Sequence, residues 1–88
     1  MDITIDKTAA DISALRARID GIDNSIVALF KERAEVSRHI GSARMAEGGT
    51  RIVLAREREV IAHYRESLGE PGVEIALLLL RAGRGRLG

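Results

Sequence analysis

There is no cysteine and no tryptophan in these 88 residues. Disulfides, thiolate metal sites and a cysteine nucleophile are therefore excluded. With one tyrosine and one phenylalanine, packing must rest on aliphatic side chains. Strand-like alternation is missing, which argues against a sheet. The opening "MDITIDKTAA" lacks a basic segment followed by an apolar one, so it does not read as a signal peptide. The longest apolar run, Ile75 to Leu80, is too short to span a bilayer. These absences lead to the expectation of a soluble, cytoplasmic protein. The formal net charge of +1 supplies no global field to draw in nucleic acid or a membrane. His39 and His63 stand apart with no HExxH arrangement, no Ser/His/Asp motif occurs, and no glycine-rich phosphate loop follows a strand. No metal is expected.

What the chain does have is arginine, which makes up twelve of its fourteen basic residues. Its guanidinium fork matches carboxylates and phosphates and tolerates partial burial better than lysine. The other abundant feature is helical periodicity. Ile12, Leu15, Ile19, Ile22, Ile26 and Leu29 recur at three-four spacing, and the pattern resumes at Val36 and Ile40. Thr8 with Asp11 resembles a capping signal, so a helix should start near there and continue to about Ala43. "EGGT" breaks it. A second amphipathic segment runs from about Ile52 to Leu68 and is stopped by "GEPG". A third, "VEIALLLLRAG", is apolar nearly all round, as in a helix buried on every side.

Periodic patterns longer than about 25 residues usually pair with another chain. A domain this small also buries only about 60–65% of its unfolded surface alone. One copy cannot surround both a seam of nearly forty residues and an all-apolar third helix. The expected architecture is all-α: one long and two shorter helices in an intertwined homodimer. Residues 1–88 would form one domain, with 1–8 flexible and 84–88 a tail.

The seam contains an anomaly. Between Leu29 and Val36 the inward position falls on Arg33. Arg44 follows eleven residues later, close to three turns, so both guanidiniums point the same way about 16 Å apart. Ser37 and Ile40 share that face. In the second helix the stripe Val53, Val60, Ile61, Tyr64 and Leu68 contains Glu57, with Arg56 beside it. A structural salt bridge would explain any one of these charges. Together the cations outnumber the carboxylate, and unpaired buried charge is very costly. An anionic ligand carrying carboxylates accounts for the surplus. Arg16 stands beside the seam about 25 Å from Arg33, too far to share a small ligand within one chain. In an antiparallel dimer it would arrive beside the partner's copy of that site.

Leu15-Arg16, Ile19-Asp20, Ile22-Asp23, Arg33, Gly41-Ser42-Ala43-Arg44 and Arg56-Glu57 form a set at fixed spacings. That set resembles the all-helical class of chorismate mutases, and the "GGTR" loop and "GRGRLG" tail look most like its short actinobacterial intracellular subclass. The resemblance implies rearrangement of chorismate to prephenate on the route to phenylalanine and tyrosine, without a cofactor. It implies that Arg16 of one subunit and Arg33 of the other clamp the substrate carboxylates. Arg44 would contact a carboxylate and the ether oxygen, Glu57 would accept the ring hydroxyl's hydrogen bond, and Arg56 would help bind or order the pocket. Arg33, Arg44 and Glu57 are thus the catalytic candidates.

Two positions depart from the family pattern. Val53 stands at a substrate-binding position where many relatives have an acidic residue. "LLLLRAGRG" lacks the Gln or Glu that contacts the ether oxygen, Arg84 being the nearest polar residue. Both departures imply a modest stand-alone catalyst. In the subclass a DAHP synthase docks as an activating partner, and Arg84, Gly85, Arg86, Leu87 and Gly88 would be its contact. An isochorismate-pyruvate lyase on the same fold, or a non-catalytic helical dimerisation module, are the alternatives.

Overall fold

A preponderance of helix formers and the absence of proline before Pro71 allow one very long first element, despite Gly21 and Gly41 within it. A computed structural model describes residues 9–85. α1 spans Ala9–Ala46, α2 Leu54–Leu68 and α3 Glu70–Arg84, and no strand occurs among the described residues. Thr8, the expected cap, and Arg86 to Gly88 of the expected tail lie outside them.

The glycines define the ends. α1 runs three residues past the expected Ala43 and stops where Gly48 turns to φ 83°. The amide of Gly49 there donates to the Arg44 carbonyl at 2.8 Å. "GEPG" is a start as well as a stop. Gly69 (φ 76°) caps both helices, and Pro71 occupies the first turn of α3, where its missing N–H costs nothing. α3 therefore begins at Glu70 instead of Val73 and gains its first turn from the breaker itself.

This tight reversal folds α2 and α3 into an antiparallel hairpin. Gly72 makes it possible, because a Cβ there would fall on the backbone carbonyl of Tyr64. That obstacle is main chain and cannot swing aside. Gly72→Ala is expected to destabilise the fold by about 1–3 kcal/mol, read as a lowered Tm in thermal unfolding. Gly83 does for α1 and α3 what Gly72 does within the hairpin: an added Cβ would lie 2.5 Å from Ser37 Oγ.

α3 packs against both α2 and α1, whereas α1 and α2 do not pack on one another. The hairpin meets the C-terminal half of α1 through Arg33, Ser37 and Arg38. The N-terminal half carries its apolar stripe into solvent: Ile12, Ile19, Ile22, Ile26 and Leu29 are all exposed, Leu29 to 63%. The chain measures 60 × 23 × 22 Å with a radius of gyration of 17.8 Å. A compact chain of this length would have a radius near 12 Å, so the fold is far from self-contained. Within one chain α3 is not buried all round either. Ala76 is fully covered, but Ile75, Leu77 and Leu78 remain exposed. No described helix is long and apolar enough to cross a membrane.

Candidate active site

Because α1 and α2 stand apart, each held only by α3, a cleft remains between them. It forms a cavity of about 430 Å³. Its walls come from the C-terminal half of α1, the α1–α2 connection, the first turns of α2 and the last turn of α3. Arg33, Arg44, Arg51, Arg56 and Arg84 line it together with a single carboxylate, Glu57.

Arg33 reaches the cavity because it holds a seam position, and the structure half-buries it there. Its Nη1 lies 3.5 Å from the Leu79 carbonyl of α3. Three turns on, Arg44 lines the same wall, with Ser37 and Ile40 between. Its Nε donates to the Thr50 carbonyl at 3.0 Å, tying it to the connection that its own backbone carbonyl helps to turn. Val53, Arg56 and Glu57 line the cavity from the opening of α2. Arg16, exposed on the unpartnered half of α1, is not part of this chain's cavity. The structure thus brings together every sequence-expected pocket residue except the one assigned to a second subunit.

Glu57 has a partner that sequence reasoning did not give it. The structural alternative set it against Arg33 or Arg44, but its carboxylate instead takes a two-pronged grip from Arg84. Arg84 Nη2 lies 2.5 Å from Oε1 and Nε 3.2 Å from Oε2. Arg84, grouped by sequence with the tail, is the last residue of α3. Both termini favour the pair: Glu57 sits in the first turn of α2 and Arg84 in the last turn of α3, where helix dipoles stabilise those charges. The hydrogen bond to Glu57 raises the Arg84 pKa, opposed by desolvation and assisted by the carboxylate's charge. A raised pKa makes the stabilisation complete below the unfolded value and lost only as pH climbs past the folded one. Arg84 is therefore cationic at any working pH.

Arg51 was also missed as a lining residue. Its side chain crosses Gly41, where a Cβ would lie 3.1 Å from Arg51 Cγ, and its Nη1 donates to the Arg84 carbonyl at 3.4 Å. The signal was present in "GGTR", but no periodicity projects a loop residue onto a helix face.

Five guanidiniums around one paired carboxylate define a class: an all-helical site for a small, multiply charged anion, binding through electrostatics and shape. Residues 15–78 match the family model described as Chorismate mutase type II. The chain belongs to this enzyme family, in its actinobacterial, all-helical form. It is 59% identical over 78 residues to the intracellular chorismate mutase of Mycobacterium tuberculosis, covering 89% of this chain and 73% of that one. The intracellular chorismate mutase of Mycolicibacterium smegmatis is 52% identical over 88 residues, covering 100% of this chain and 84% of the relative. Among solved structures it is similar to a chain of a non-covalent complex of DAHP synthase and chorismate mutase from Corynebacterium glutamicum with bound transition state analog. The TM-score is 0.84 at 44% identity, covering 90% of this chain and 95% of that chain.

Proposed function

We propose that this chorismate mutase converts chorismate to prephenate by holding the dicarboxylate in its reactive conformer among fixed guanidiniums. The observation that carries the reading is the cavity between α1 and α2, with five arginines about one carboxylate. An intramolecular Claisen-type rearrangement asks for no nucleophile and no obligatory base. It asks for alignment of the reacting ends and for positive charge where the ether bond breaks, and preorganised donors supply both. Arg33 grips a substrate carboxylate, Arg44 a carboxylate and the ether oxygen. Glu57 accepts from the ring hydroxyl, and Arg56 and Val53 complete the α2 wall.

The functional unit is a homodimer, each chain acting as one domain. The exposed Ile19–Ile26 stripe and the radius of gyration support this, since a second α1 would cover the first. Arg16 of one subunit then joins Arg33 of the other. The similarity to a mutase found with DAHP synthase supports the same partner here, with Arg84 to Gly88 in the contact. The relatives' description as intracellular supports an intracellular location.

Loss of chorismate absorbance on adding purified protein, with prephenate identified as product, tests the reading. Turnover is expected alone and is expected to rise with a DAHP synthase present. No reaction in either case would refute it, and release of pyruvate would point to the lyase.

A further inference from the structure

The proposed roles give Arg84 no part in the chemistry of the pocket, although its side chain is bonded to the carboxylate that lines it. We infer that Arg84 is a positioning residue, fixing the Glu57 carboxylate in the pocket as a preset hydrogen-bond acceptor. The inference rests on the proposed function, in which Glu57 receives the substrate's hydroxyl.

A glutamate side chain has three rotatable bonds and, at the start of a helix facing a cleft, no intrinsic reason to hold one orientation. Arg84 removes that freedom. Its Nε and Nη2 meet one carboxylate oxygen each, at 3.2 Å and 2.5 Å, so rotation about the final torsion would break both bonds. Only 16% of the Glu57 side chain remains accessible. The grip does not use up the acceptor. A carboxylate offers about four lone-pair sites, and the guanidinium takes one on each oxygen. A hydroxyl entering from the cavity can therefore be received without breaking the pair.

Arg84 is itself held at the point where a helix would fray. Its carbonyl accepts from Arg51 Nη1 at 3.4 Å, and the neighbouring Ala82 carbonyl lies 3.5 Å from Arg38 Nη1. Gly85 follows at φ 68° and closes the turn through its amide to Ala82. The last turn of α3 is thus pinned to α1 and to the α1–α2 connection before its side chain reaches α2. The ordering of Glu57 derives from three segments of chain.

The test compares wild type, Arg84→Ala, Arg84→Lys, Glu57→Gln and the Arg84→Ala/Glu57→Gln double variant in chorismate turnover, with Tm measured on each. Arg84→Ala is expected to lower kcat on the order of 10- to 100-fold with a smaller change in KM, since a misplaced group costs rate before affinity. Arg84→Lys retains the charge without the fork and should recover part of the loss at unchanged Tm. In the Glu57→Gln background, Arg84→Ala should lower kcat by less than about threefold more, because the two act as one unit. Wild-type kcat in Arg84→Ala would overturn the inference. So would equal losses in both backgrounds, which would mean that Arg84 acts on substrate directly. Losses that follow Tm across both Arg84 variants would reduce it to a structural strut. An inactive wild type would instead remove the proposed function, and this inference with it.

Discussion

Arg44→Ala is expected to lower kcat by roughly 10²–10³-fold while moving KM far less. The argument begins with where Arg44 stands. Three turns beyond Arg33 on α1, it faces the cavity from the wall opposite the α2 opening. Its Nε is committed to the Thr50 carbonyl, which fixes the plane of the guanidinium and leaves the terminal nitrogens for the substrate. In the rearrangement, negative charge grows on the ether oxygen only as the bond breaks. A donor aimed there binds the transition state more tightly than the ground state, and its removal is felt in kcat. Arg33→Ala and Arg16→Ala should differ in kind. Each would withdraw a partner from a carboxylate that is charged throughout, so KM should rise along with any loss in kcat. Steady-state kinetics on the three variants separates these roles. An Arg44→Ala enzyme with near-normal kcat and raised KM would make Arg44 a binding residue only. Arg44→Lys is a useful companion, because a lysine lacks the fork that bonds Thr50 and the substrate together.

The difference between what could and could not be read in the sequence follows from the reach of periodicity. Arg33, Arg44 and Glu57 were legible because each interrupts an apolar stripe on its own helix, and a three-four rhythm fixes direction within a helix. The existence of three helices was legible for the same reason. Periodicity carries no information from one helix to the next, so the partner of Glu57 was not legible. Arg84 is 27 residues away in sequence and meets Glu57 only because Gly69, Pro71 and Gly72 fold the hairpin tightly. The arginine-glycine composition of "RGRLG" read as a tail, yet its first residue, Arg84, belongs to α3. The breaker "GEPG" misled in the same manner: a proline that cannot continue one helix is well suited to begin another. Arg51 needed the path of the connection, which is set by Gly48 and by Arg44 bonding to Thr50.

A mixed dimer gives the second large effect, and its direction depends on the dimer rather than on any single charge. Arg16 and Arg33 of one chain lie about 25 Å apart along α1, more than one small dicarboxylate can bridge. If each site takes Arg16 from one subunit and Arg33 from the other, Arg16→Ala and Arg33→Ala homodimers are both impaired at both sites. Pair one chain of each kind and the defects segregate. One site receives both alanines and the other receives both arginines. Such heterodimers, co-expressed with two different tags and purified through both, are expected to recover about half the wild-type kcat per dimer, since one of two symmetric sites is intact. If instead both arginines served a site within one chain, no intact site could form and the heterodimer would stay at parental activity. That outcome would remove Arg16 from the shared pocket. Ile26→Glu supplies the physical complement. It places a charge in the exposed Ile22–Leu29 stretch, which one chain leaves open to solvent. Sedimentation should then report loss of the dimer and, with it, loss of turnover, because a buried unpaired carboxylate is too costly for the interface to accept.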